Sequence, residues 1–159
     1  MKIVRVNMSQ QEISTEKLSP GLELIGGRGM TARILNDEVP PAIDPLSRQA
    51  KMVIATGPLA GTNASSLGRL SIGAKSPLTH GIKEANVGGP AGQKIDRLGI
   101  RAIIIEGAPE DDAVYYLLLS NGNWRLEKAD ELKGMKISDT TAWLQERIDR
   151  KATIMSVGL

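Results

Sequence analysis

The chain opens with polar and apolar residues in alternation from Lys2 to Val6. After Asn7-Met8-Ser9-Gln10 a looser alternation runs from Glu12 to Leu18, and a period of two on both sides of a polar turn predicts a β-hairpin. Leu22-Glu23-Leu24-Ile25 reads as a further short strand leading into Gly26-Gly27-Arg28-Gly29. Met30, Ile34 and Leu35 then make a helical stripe that ends near Asn36, before Pro40-Pro41 and Pro45 hold the chain extended. Met52–Ala55 and Ala102–Ile105 are unbroken apolar runs of strand length, the pattern of strands buried on both faces. Strands are also expected at Leu70–Ala74 and Ile82–Asn86, and a helix from Gly88-Gly89-Pro90 to about Leu98. Val114–Leu119 and Trp124–Glu127, joined across Asn121-Gly122, carry the strongest hairpin signal in the chain. A helix capped by Ser138 runs to about Ile148, and Ala152–Val157 reads as a last strand.

Two stretches share an order: strand, Gly-Gly, short helix, strand, Gly. The first runs from Leu24 to Gly57, the second from Asn86 to Gly107, and together they read as an internal duplication.

Composition narrows the chemistry. The 159 residues include no cysteine, which excludes a disulfide framework, a thiolate zinc site, a cysteine-held iron–sulfur cluster and a cysteine nucleophile. A single histidine, His80, excludes a multi-histidine metal site within one chain. Lys and Arg number 20 against 18 Asp and Glu, a net charge of +2 that gives no ground for a nucleic-acid surface. No apolar run approaches the ~20 residues of a membrane span, so a cytoplasmic protein with no membrane partner is expected.

What remains is anion chemistry. Gly26-Gly27-Arg28-Gly29 precedes a helix, where backbone amides and the helix dipole favour a negative group and Arg28 would add a charge-assisted contact. The plain alternative is a tight packing turn with a solvated arginine. The spacing matches neither the dinucleotide fingerprint nor the P-loop. Asn86-Val87-Gly88-Gly89 is a second segment of this kind, with a packing turn again the competing reading. The small, polar loop from Gly57 to Arg69 would either wrap a ligand or form surface, with Arg69 and Lys75 as its cations. The carboxylates lie in polar stretches, and Tyr115, Tyr116 and Trp124 read as packing residues.

Seven segments occur in one order: Ile25-Gly-Gly-Arg-Gly-Met30, Glu38-Val-Pro-Pro41, Asp44-Pro-Leu46, Ile54-Ala-Thr-Gly-Pro-Leu-Ala-Gly-Thr62, Lys75-Ser-Pro-Leu-Thr79, Ala85-Asn-Val-Gly-Gly89 and Ile104-Ile-Glu-Gly107. In that order and spacing they resemble the amino-terminal domain of the aldehyde ferredoxin oxidoreductases, tungsten- or molybdenum-pterin enzymes that oxidise aldehydes to carboxylates and pass electrons to ferredoxin. The resemblance implies an α+β domain of two intertwined β-rich repeats with short helices, spanning 1–159 and forming the floor under a bis-pterin (molybdopterin-type) cofactor. It implies that Arg69, Asn86, Val87, Gly88 and Gly89 hold that cofactor, with Arg28 and Lys75 as further cations and Asn86 beside a phosphate-bridging magnesium ion. Val87 stands where the family usually has serine, which leaves only a backbone contact there. The 4Fe-4S cluster, the proton-transfer residues and the ferredoxin surface of family enzymes belong to later domains, and a homodimer is a further expectation. After the last strand, family members usually continue Gly-Pro-Ala-Gly-Glu, whereas this chain finishes Gly158-Leu159, so a domain truncated at its carboxyl end is expected. The alternative to a piece of an oxidoreductase is a stand-alone, non-catalytic pterin-binding or assembly module.

Overall fold

The computed structural model describes residues 1–158. Its centre is β6 (Ile100–Glu106), whose apolar side chains are buried on both sides of a six-stranded sheet. The other strands are β1 (Lys2–Asn7), β2 (Glu12–Lys17), β3 (Lys51–Thr56), β4 (Leu70–Lys75) and β5 (Ile82–Val87), and the order across the sheet is β2-β1-β6-β3-β4-β5. Every neighbouring pair is antiparallel except β1 and β6, which run parallel with a register shift between Lys2 and Ile3. A parallel pair needs a long crossover, and here almost the whole intervening chain forms it.

Helix α1 (Gly27–Glu38) covers one face. Met30, Ile34 and Leu35 meet Ile3, Val53, Ala55, Ala102 and Ile104 in a closed apolar layer. Gly73 of β4 lets the helix approach, since a Cβ there would come within 2.7 Å of the Thr31 Cβ. On the other face, Val4, Val6, Ile54, Leu70 and Ile103 meet Ile95 of the short helix α2 (Ala91–Arg97) and a separate hairpin, β7 (Tyr115–Ser120) with β8 (Asn123–Lys128). The turn of that hairpin is Asn121-Gly122, with Gly122 at φ +73°. A single 3-10 turn (Asp130–Leu132) and helix α3 (Ile137–Arg147) close a third small cluster around Ala129, Leu132 and Leu144.

The architecture is α+β. The unit Gly-Gly, helix, strand, Gly occurs twice, as α1–β3 and α2–β6, and β3 and β6 lie side by side in antiparallel register. The expected opening strand of the first unit is absent: Leu22–Ile25 forms turns, with Leu22 N–H bonded to Ser19 and Ile25 N–H to Leu22. Leu24 is 88% exposed, so its alternation serves no buried face. Two more expectations fail at the carboxyl end. Ala152–Val157 is extended but pairs with no strand, and the residue before the first turn of α3 is Lys136, while the Ser138 hydroxyl lies inside the helix and bonds Asp139.

At the end of the sheet where β3 begins, Arg5 grips Glu38 through two hydrogen bonds of 2.7 and 2.8 Å, and Lys51 joins Glu38 (2.8 Å) to Glu106 (2.7 Å). The Arg5 guanidinium holds the Glu38 carboxyl down at about 2 against burial that would raise it, with Lys51 adding to the effect. Because the folded value lies below the ordinary 4.5, the contribution to stability is complete above that pH and is lost as pH falls towards 2. Acidification through this window is expected to remove roughly 1–2 kcal/mol through Glu38, after discounting for solvent screening. Urea unfolding as a function of pH should show this slope in the parent chain and lose it in Glu38→Gln; equal slopes in both would refute the assignment.

Candidate functional site

The opposite end of the sheet, where β3 runs out into Gly57 and β4 begins, carries a cleft of about 270 Å³. Three segments meet there: the start of α1 with Gly27 and Arg28, the loop residues Gly57, Ser66 and Leu67, and the paired strand ends with Arg69, Ser71 and Asn86. Strand register explains the last group. Ser71 stands opposite Asn86 across β4 and β5, and a period of two puts Arg69 and Ser71 on one side. Arg69 Nε donates to the Asn86 side-chain oxygen, and the Asn86 amide donates in turn to the Ser71 hydroxyl at 3.3 Å.

The start of α1 reaches this cleft by a glycine device. Gly27 has φ +51°, in the left-handed region, and a Cβ at Gly26 would lie 2.5 Å from the Thr56 carbonyl oxygen. The helix begins without a side-chain cap and without an acidic residue in its first turn. Its first amides therefore have no partner from the helix itself, and the positive end of its dipole has no neutralising carboxylate. With Arg28 and Arg69 both on the lining and no Asp or Glu among it, the cleft is chemically a site for an anion.

The sequence-derived candidates separate here. Arg28, Arg69 and Asn86 come together on the lining. Gly88 borders the Arg69 guanidinium: a Cβ there would stand 3.5 Å from Nη1. Gly89, at φ +112°, turns the chain into α2, while Val87 lies opposite Leu70 and is exposed without lining the cleft. Lys75 is elsewhere. It sits at the far end of β4, buried, with Nζ donating to the carbonyls of Pro41 and Ile43, so it ties the proline-rich connection to the sheet. The Asn86 side-chain oxygen is engaged by Arg69. Among the described residues no three His, Cys, Asp or Glu gather as a metal site, and no helix is long and apolar enough to cross a membrane.

Ser66 falls within the small, polar loop from Gly57 to Arg69, while Ser71 escaped the motif reading, although the alternation from Arg69 pointed to it. Two charged residues behind the cleft were also missed. Arg101 stands inside an apolar strand and is 4% exposed; its guanidinium bonds the carbonyls of Gly57 and Pro58 and lies 3.4 Å from Asp96 of α2. An arginine within the run Ile100–Ile105 is itself a signal, since a buried charge requires partners.

Comparison with known proteins gives the same frame. The family described as "Aldehyde ferredoxin oxidoreductase, N-terminal domain" matches residues 3–159. The chain is 35% identical over 160 residues to the tungsten-containing aldehyde ferredoxin oxidoreductase of Pyrococcus furiosus and 37% to that of Pyrococcus horikoshii. In both cases 99% of this chain is covered but only 26% of the relative, so the chain spans about a quarter of their length. The active-site complex BamBC of benzoyl coenzyme A reductase, solved with 1,5-dienoyl-CoA, superposes with a TM-score of 0.88 at 27% identity, over 94% of this chain and 23% of that one. In sequence from end to end, and in the course of its backbone, the chain belongs to the aldehyde ferredoxin oxidoreductase family and corresponds to the amino-terminal domain.

Proposed function

We propose that this chain is the cofactor-holding domain of a tungsten- or molybdenum-pterin oxidoreductase, and that its cleft takes a phosphate arm of the pterin. The observation that carries this reading is the convergence of the uncapped start of α1, Arg28 and Arg69 on a lining that contains no carboxylate. The tungsten named for the Pyrococcus relatives supports the same cofactor class. The residues present fit a phosphorylated group: two guanidiniums for bidentate contacts, free helix-end amides and two serine hydroxyls.

When bound, the metal–pterin group supplies the redox chemistry, the oxidation of an aldehyde to a carboxylate with two electrons released. The work of this chain is binding and orientation. Arg69, steered by Asn86, would present a fixed cation to a phosphate, and the α1 amides would offer it donors that need no side-chain reorganisation. Asn86 would be the residue beside a magnesium ion that accompanies the phosphate. With no cysteine in the sequence, the iron–sulfur cluster and the ferredoxin contact of such an enzyme fall to protein outside these 159 residues.

Inorganic pyrophosphate is a direct probe of the cleft by titration calorimetry. Arg69→Ala is expected to weaken binding about 10- to 100-fold, the scale of one lost charge-assisted contact. Arg33→Ala removes equal charge from an exposed arginine paired with Asp37 outside the cleft and should leave the affinity within about twofold. Equal losses in the two variants would reduce the effect to net charge and dismiss the site. Metal and pterin analysis of the intact protein from its own host tests the cofactor itself.

A further inference from the structure

Behind the cleft lies a pair of charges that the anion site does not touch directly. Asp96 of α2 and Arg101 of β6 are the side chains that tie the start of the loop after β3 to the rest of the fold. The Thr56 hydroxyl lies 3.2 Å from Asp96 Oδ1 and 3.3 Å from the Arg101 carbonyl oxygen. The Arg101 guanidinium donates to the Gly57 carbonyl and, at 3.4 Å, to that of Pro58. The Gly61 N–H donates to Asp96 Oδ2 at 3.0 Å, and a Cβ at Gly61 would collide with that carboxylate. Residues 56 to 61 are therefore tied at four places to one ion pair whose members are 13% and 5% exposed.

Three of the anchored residues shape the cleft. Gly57 forms part of its wall, and the Thr56 carbonyl and Pro58 ring are the surfaces against which Gly26 seats the start of α1. The path thus runs from Asp96 and Arg101, through the backbone of 56–58, to the helix end that faces the anion. The guanidinium fork holds the Gly57 and Pro58 carbonyls, and the Gly57 oxygen also accepts the Ala60 N–H at 3.2 Å, so this turn is fixed from both sides.

We infer that Asp96 and Arg101 are positioning residues for the phosphate cleft: they fix the Thr56–Gly61 backbone, and through it the start of α1, in the geometry that receives the anion. The inference rests on the cleft being the phosphate site. It assigns a role in binding to two residues that never meet the ligand.

Arg101→Lys keeps the positive charge beside Asp96 but removes the fork that reaches two carbonyls at once. Thr56→Val removes only one hydroxyl and leaves the ion pair intact, so it reports even if the lysine variant folds poorly. Both are titrated with inorganic pyrophosphate at a temperature where near-ultraviolet circular dichroism shows the native signature, with Arg69→Ala alongside. A coupling of ordinary size predicts an affinity about five- to tenfold weaker in Arg101→Lys and at least twofold weaker in Thr56→Val, with faster amide exchange at Gly57 and at Leu59, Ala60 and Gly61. A purely structural role would lower the melting temperature and leave the affinity of the folded protein unchanged, and that result overturns the inference. Weak binding in Arg69→Ala together with parent-like binding in the other two variants would do so while sparing the cleft. Failure of the parent chain to bind pyrophosphate, or parent-like binding in Arg69→Ala, would remove both.

Discussion

Asp96→Ala is expected to cost about 3–5 kcal/mol of folding stability, because it strands the Arg101 guanidinium inside the protein. Arg101 is buried and Asp96 13% exposed between α2 and β6, and among the described residues no second carboxylate lies within ion-pair distance of Arg101. Truncation also takes an acceptor from the Gly61 N–H and from the Thr56 hydroxyl, each a further loss on the order of 1 kcal/mol when the group stays dry. Urea unfolding monitored by circular dichroism would measure the change as a shift in midpoint at constant slope. A loss below about 1 kcal/mol would mean that water reaches Arg101 and that the pair is not closed. The companion change Asp96→Ala with Arg101→Met should recover a large part of the loss, since it removes the buried charge along with its partner.

Met30→Ala is the other large effect, at about 3–4 kcal/mol. Met30 is fully buried under α1 and packs with Ile34, Leu35, Val53 and Ile104 in a layer with no polar side chain among its apolar members. The substitution leaves a void that a central sheet and a 12-residue helix cannot both collapse to fill. Met30→Leu keeps the volume and should cost less than about 1.5 kcal/mol. The consequence reaches the cleft, because Met30 lies one turn from the Gly27 and Arg28 that line it. A chemical denaturation series gives both values; near-equal costs for alanine and leucine would show that α1 is not held by packing at this position.

Much of the fold could be read from residue order because the informative segments carry local instructions. The Asn121-Gly122 turn requires left-handed backbone and finds it in glycine, and the unbroken apolar run of β6 has no stable place except the middle of a covered sheet. The α1 stripe and the β1–β2 alternation are of the same kind. The failures share another cause: a strand is a relation between two segments, and propensity describes only one. Ala152–Val157 has strand-forming residues but pairs with no strand, and Leu22–Ile25 is drawn into turns that lead to Gly26.

The site divides similarly. Arg28, Arg69 and Asn86 were legible from the glycine-rich segments and the family pattern, and the structure brings them to one cleft. Lys75 looked equivalent to Arg69 in sequence, six residues further on, yet Arg69 stands just before β4 and Lys75 at its last residue, and a strand rises ~3.3 Å per residue, which carries Lys75 to the opposite end of the sheet. Asp96 and Arg101 were illegible as a pair, because their meeting depends on how α2 folds back on β6.

The place of β6 between β1 and β3 bears on the order in which the protein comes together during synthesis. The first strand leaves the ribosome almost a hundred residues before its parallel neighbour, so the middle of the sheet is the last part to be filled. Every residue that lines the cleft has been made by Asn86, but Arg101, which fastens its wall, arrives on the closing strand. A nascent chain that has reached only Asn86 therefore carries every residue of the cleft lining but not the arginine that fastens its wall.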